Sequence, residues 1–280
     1  MSKARTLSAV VLTAFLLMGA TGCAYLQSRD NLNKGIAAYK GADYAGAVEY
    51  FKKAIEQDPD WLQPQLYLAT AYMNQWIPGA QSPENQQLAE QAKAEFQKVL
   101  DVEPDNESAL AYLAMIAYNE AGGLPDEEKW AKLDEAEKWH YRRVEVNPET
   151  ADAYYSLGVI AFQRTYPVWQ MYRREMGMSD TDPGPLPDEE LRQEFIDRQG
   201  EVVDKGLENL HKALDVDPEY DDAMVYINLL LRQQADMLDT EEEYTVQIEE
   251  ADEWLQKSLD IKQIKLERES KAASAGIVQE

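Results

Sequence analysis

The stretch GIAAYKGADYAGAVEYFKKAIEQDP, residues 35–59, decides how the rest of the chain is read. A small-residue run, Gly35-Ile-Ala-Ala-Tyr39, leads through Asp43-Tyr44 to Ala54-Ile55 and stops at Asp58-Pro59. Proline disfavours helix in the residue before it, and the acid that follows suits the start of a new helix. Three later prolines carry the same punctuation: Glu103-Pro104-Asp105, Asn147-Pro148-Glu149 and Asp217-Pro218-Glu219. Each follows one amphipathic segment and precedes another, so the chain reads as a series of helices joined at these prolines.

Counting back from Pro59 gives Ala54, Phe51, Ala47 and Gly35 at offsets 5, 8, 12 and 24. This resembles the tetratricopeptide (TPR) repeat, in which small residues let two antiparallel helices approach and an aromatic fills between them. From Pro104 the matching positions hold Val99, Phe96 and Ala92, and from Pro218 they hold Ala213, Leu210 and Gly206. From Pro148 Ala136 is kept, but His140 and Arg143 replace the aromatic and the small residue. The resemblance covers residues 30–262 and implies an all-α, right-handed solenoid of about five helix pairs. Repeat lengths exceed the usual ones, and the additions fall around Trp76–Pro83, Ala121–Glu127 and Thr165–Gly200. Additions at loop tips leave stacking intact. The last pair is expected at Asp221–Leu238 and Glu242–Ile261, and the C-terminal tail, residues 263–280, is expected to be a fraying helix and then disorder.

The first 23 residues read as an address. Met1–Arg5 carries two positive charges, and Leu7–Met18 is an apolar run too short to span a bilayer comfortably. Ala20-Thr21-Gly22 then precedes Cys23, the only cysteine of the chain. This resembles the lipobox of bacterial lipoprotein precursors and implies a signal peptide at 1–22 and lipidation of Cys23. Ala24, not an aspartate, follows the cysteine. By resemblance this implies the outer membrane with the body on its periplasmic side, other surface or inner-membrane lipoproteins being the alternative. A linker at 23–29, at most ~25 Å when extended, is expected before the helices begin.

Composition narrows function. With 52 acidic and 27 basic residues the formal charge is −25, which repels phosphate backbones, so nucleic acid is not an expected partner. Apolar content of 45% with 16 tyrosines and 6 tryptophans argues for a folded body. There is no Gly-rich phosphate loop, no G-x-S-x-G and no H-E-x-x-H. The two histidines, His140 and His211, lie within second helices, so a Ser–His–Asp or Cys–His site is not expected. Asp215–Asp221 opens like a calcium loop but lacks glycine at its sixth position and glutamate at its twelfth. Neither metal nor cofactor is expected, and the chain reads as a non-enzyme.

The repeat resemblance implies a groove lined by the first helix of each pair. Its lining would include Tyr39, Met73, Met115, Tyr118, Asn119, Tyr155, Phe162, Gln163 and Arg232, alongside Ile36, Thr70 and Leu229. Aromatics, methionines and amides suit a peptide or partner helix. The 165–200 insertion carries Trp169 and is read as a short helix, a stiff proline loop and a second helix. It is expected either to cap the groove or to offer a second docking surface. The expected function is therefore a membrane-anchored protein-binding scaffold of the cell envelope. Pilus assembly, outer-membrane assembly and peptidoglycan-enzyme adaptors all accord with the resemblance, and oligomeric state is left open. The alternatives are a glycan receptor stacking sugars on Trp61, Trp76, Trp130 or Trp169, and a carboxylate-based hydrolase.

Overall fold

The structure, a computed structural model, describes residues 24–277. The signal segment and Cys23 lie outside the described residues. Helix α1 covers residues 24–40, followed by α2 (Tyr44–Gln57), α3 (Leu62–Gln75), α4 (Pro83–Val102) and α5 (Glu107–Ala121). Then come α6 (Asp126–Val146), α7 (Ala151–Glu175), α8 (Glu189–Val216), α9 (Asp221–Ala235) and α10 (Glu241–Ile277). Among the described residues there is no strand. The order gives five pairs, with the four marker prolines between pairs.

Local chemistry explains the boundaries. Asp43, Ser82, Asn106 and Asp188 each accept a backbone N–H three residues on, capping α2, α4, α5 and α8. Every inter-pair turn closes alike. The residue before the proline donates its N–H to the carbonyl four positions back: Asp58 to Ala54, Glu103 to Val99, Asn147 to Arg143 and Asp217 to Ala213, at 2.8–3.1 Å. Those acceptors stand at the offset-5 position found in the sequence.

The chain divides into two compact units, one up to Ala136 and one from Glu137. In the first, Phe51 and Phe96 are wholly buried and stack on Tyr67 and Tyr112 of the following helix, at 5.5 and 4.9 Å. Gly35 faces Phe51, and a Cβ on it would collide with the ring. In the second, Leu210 packs where Gly158 leaves room, and Gly206 lies against Ala161 and Leu230. Val203, Leu207, Leu210, Ile227 and Leu230 form its main core, and a satellite core holds Trp169, Tyr172, Leu186 and Phe195. These close approaches at small residues are the physical content of the repeat pattern.

Two expectations are corrected. Residues 24–29 are helical, not a linker, because the Ser28 hydroxyl is buried and donates to the Ala54 carbonyl at 2.9 Å. The 165–200 segment does not form separate helices. Instead α7 runs unbroken through Pro167 to Glu175, and α8 begins at Glu189. One lost backbone hydrogen bond at Pro167 is outweighed by burial of Trp169 and Tyr172, two and five residues on. The C-terminal segment continues α10 as helix to Ile277.

Candidate protein-binding faces

In the first unit the Tyr39 ring meets Tyr44 edge-on at 5.2 Å. The Tyr39 hydroxyl accepts a hydrogen bond from Asn74 at 2.7 Å, tying α1 to α3. Burial pushes the Tyr39 phenol above its usual range, and the nearby Tyr112 and Tyr67 hydroxyls add to the effect, so it stays neutral at physiological pH. Tyr67 and Asn74 are seven residues apart on α3, and Tyr112 and Asn119 are seven apart on α5, so each pair shares a helix face. Met115 is 39% exposed. Met73, Tyr118 and Asn119 are half-buried. The face thus combines phenols, amides and a flexible thioether, which offers stacking area with both donors and acceptors.

In the second unit Tyr155, Phe162 and Tyr166 follow one another along α7. Phe162 stacks on Tyr166 at 5.0 Å, and Tyr226 of α9 meets both Phe162 (5.5 Å) and Tyr155 (5.6 Å) edge-on. Tyr155 also lies 4.8 Å from Tyr220. Burial, then the neighbouring Asp152, pushes the Tyr220 phenol up to about 12. Tyr155, Phe162 and Tyr166 are half-buried, so part of each ring is accessible.

Two predicted lining residues are placed elsewhere. Trp169 is 7% exposed, and its indole N–H donates to Asp236 at 2.7 Å. It belongs to the satellite core and offers no binding surface. Arg232 of α9 forms an ion pair with Asp252 of α10. Gln163 is half-buried on α7. The sequence reading missed Tyr67, Tyr112 and Asn74, although the signal was present. Tyr67 and Tyr112 stand eight residues after a marker proline, and Asn74 and Asn119 stand fifteen after.

The insertion does not stand free. The guanidinium of Arg173 is buried between the Ser179 carbonyl (2.9 Å), the Asp182 carbonyl and the Asp236 carboxylate (2.5 Å). The Leu186 N–H donates to the Asp236 carbonyl at 3.2 Å. The loop after α7 is therefore fastened onto the α9–α10 turn.

The polar groups do not assemble a reaction centre around the histidines. His140 is buried beside Arg143, which pairs with Asp152 at 2.7 Å. Burial, then the Arg143 charge, lowers its pKa to about 4, so it is neutral at pH 7. His211 is exposed, against Trp254 at 5.4 Å. Among the described residues no group of three or more His, Cys, Asp or Glu could hold a metal, and no helix is long and apolar enough to cross a membrane.

These features define an all-α helical-repeat protein built from TPR-like antiparallel pairs. No protein-family model and no curated protein matches the chain. Among solved structures, a MamA double mutant of RS-1 is 17% identical over 85% of this chain and 96% of that one, at a TM-score of 0.51. MamA of AMB-1 is 17% identical over 85% and 93%, at a TM-score of 0.50. A thermophilic TPR protein of Thermus thermophilus is 18% identical over 73% and 98%, at a TM-score of 0.40. The MamA likenesses show the fold.

Proposed function

We propose that this protein is a non-catalytic, lipid-anchored scaffold of a bacterial cell envelope, binding a peptide or partner helix on the first helices of its repeats. The observation that carries this reading is the face of α3 and α5. There Tyr67, Asn74, Tyr112 and Asn119 recur at fixed positions beside the exposed Met115. The Asn74 amide already donates to the Tyr39 hydroxyl and the Thr70 carbonyl, so its side-chain oxygen is what it offers a partner, and the rings supply contact area at low entropic cost. Residues 1–22 act as signal peptide, and Cys23 takes the lipid that holds the body at the outer membrane. Tethering raises the local concentration of any partner fixed in the same layer.

The test places a photo-crosslinking side chain at Met115 in cells and identifies what it captures. The expected result is a discrete envelope protein, lost when Asn74→Ala and Asn119→Ala are combined, with Cys23→Ser leaving the membrane fraction. Capture unchanged in the double variant overturns the assigned face. Of the tryptophans that the glycan alternative would use, Trp169 is buried, which removes it as a sugar-stacking ring.

A further inference from the structure

The start of α1 is fixed to the body at every turn. Besides the Ser28 bond to Ala54, Asn31 donates to Gln57 at 2.9 Å and Arg29 donates to Asp58 at 2.5 Å, while Leu32 is buried. The same end carries apolar surface with no cover in the fold. Tyr25 is 52% and Leu26 67% exposed. The Arg29 guanidinium lies between two rings, 3.8 Å from the Tyr25 centroid and 3.6 Å from that of Trp61.

We infer that this end of the first unit, Tyr25, Leu26, Arg29 and Trp61, is a membrane-docking surface that seats in the headgroup layer of the bilayer holding Cys23. The inference rests on the lipid-anchor reading of Cys23 given above. Covalent reach limits how far these residues can lie from the lipid. One peptide bond, about 3.8 Å, separates Cys23 from Ala24, which is already helical. A helix rises about 1.5 Å per residue, so Leu26 stands roughly 5 Å from an acylated Cys23. The headgroup layer on each face of a bilayer is about 5–7 Å deep. Residues held by covalent geometry at that depth are surrounded by lipid.

Their chemistry suits that position. Tyrosine and tryptophan favour the interface, where an apolar ring and a polar edge are both satisfied, and Arg29, paired with Asp58 and held between the two rings, fixes Tyr25 and Trp61 side by side. Charge agrees as well. Across residues 24–40 there are three bases to one acid, in a chain with 52 acids and 27 bases. Helix α1 is thus less acidic than the chain as a whole.

The test uses the full chain, extracted from membranes in lipidated form and reconstituted in vesicles of phosphatidylethanolamine and phosphatidylglycerol. An environment-sensitive fluorophore is attached at Leu26→Cys, or at Ala94→Cys on the exposed side of α4; lipidation leaves the introduced thiol as the only one free. The expected result is a blue-shifted emission from position 26 that is quenched by lipids labelled near the headgroup, with neither change at position 94. If the protein floats with the vesicles while position 26 stays as aqueous as position 94, the docking surface is overturned and the anchor stands. If the protein does not float at all, the anchor reading fails and takes this one with it.

Discussion

Trp169 and Asp236 are 67 positions apart, yet the indole N–H donates to the carboxylate at 2.7 Å inside the second unit. Asp236 is fully buried and also holds the guanidinium of Arg173, itself 1% exposed. Removing one partner leaves the other charge unpaired in the interior. Asp236→Ala should therefore cost about 3–5 kcal/mol, read as a lower urea midpoint of the second unit. Replacing Arg173 and Asp236 together by methionine and leucine should recover most of that loss.

A second prediction concerns pH. An unfolded histidine titrates near about 6.5, whereas native His140 lies at about 4. Between these values the unfolded chain binds a proton that the folded chain refuses. The stability due to neutral His140 is complete above the unfolded value and is lost as pH falls through the window. Moving from pH 7 to pH 5 should cost of order 2 kcal/mol through this group. Burial raises the Asp236 carboxyl, which titrates with the opposite sign. The difference between wild type and His140→Phe in urea titrations at the two pH values isolates the histidine, and the variant should show the flatter profile.

Gly206 and Gly200 share α8 but not surroundings. A Cβ at Gly206 would sit 2.7 Å from Ala161 Cβ and 2.7 Å from Leu230 Cδ1, whereas at Gly200 the nearest atom is Ile196 Cγ2 at 3.6 Å. Alanine gains about 1 kcal/mol in helix propensity at either site. Overpacking costs typically about 1–3 kcal/mol. Thermal denaturation should show Gly200→Ala stabilised and Gly206→Ala destabilised.

Phe96 is wholly buried against Tyr112. Phe96→Ala should lower the stability of the first unit by about 3–5 kcal/mol in denaturant unfolding. Tyr112→Phe keeps the ring and should change stability little.

The pairing of helices was legible because it depends on backbone punctuation and on small residues, both local properties of the sequence. Proline positions located every inter-pair turn, and Gly35, Gly158 and Gly206 sit where helices touch. Arg143 and His140 had broken the pattern in the third repeat. The structure shows why this is tolerated: Arg143 turns to Asp152 and keeps the histidine buried. The insertion was misread because Pro167 signals a break, while the force that carries α7 through it comes from Trp169 and Tyr172, whose partners lie far along the chain. The start of α1 was misread for a similar reason. Ser28 reads as linker until its hydroxyl is seen to satisfy a carbonyl of α2. Of the candidate lining, the half-buried aromatics were placed correctly on first helices, but the availability of Trp169 and Arg232 depended on Asp236 and Asp252, which no local pattern specifies.

The two kinds of contact also set an order of events in folding. Phe51 and Tyr67, like Phe96 and Tyr112, lie 16 positions apart, so each stack closes a short loop and can form as soon as its own hairpin collapses. The bond from Trp169 to Asp236 spans 67 positions and waits for α7, α8 and α9 to be in place. The hairpins can thus serve as early nuclei, and the fastening of the α7–α8 loop is a late step, one that raises the barrier to unfolding more than the speed of folding.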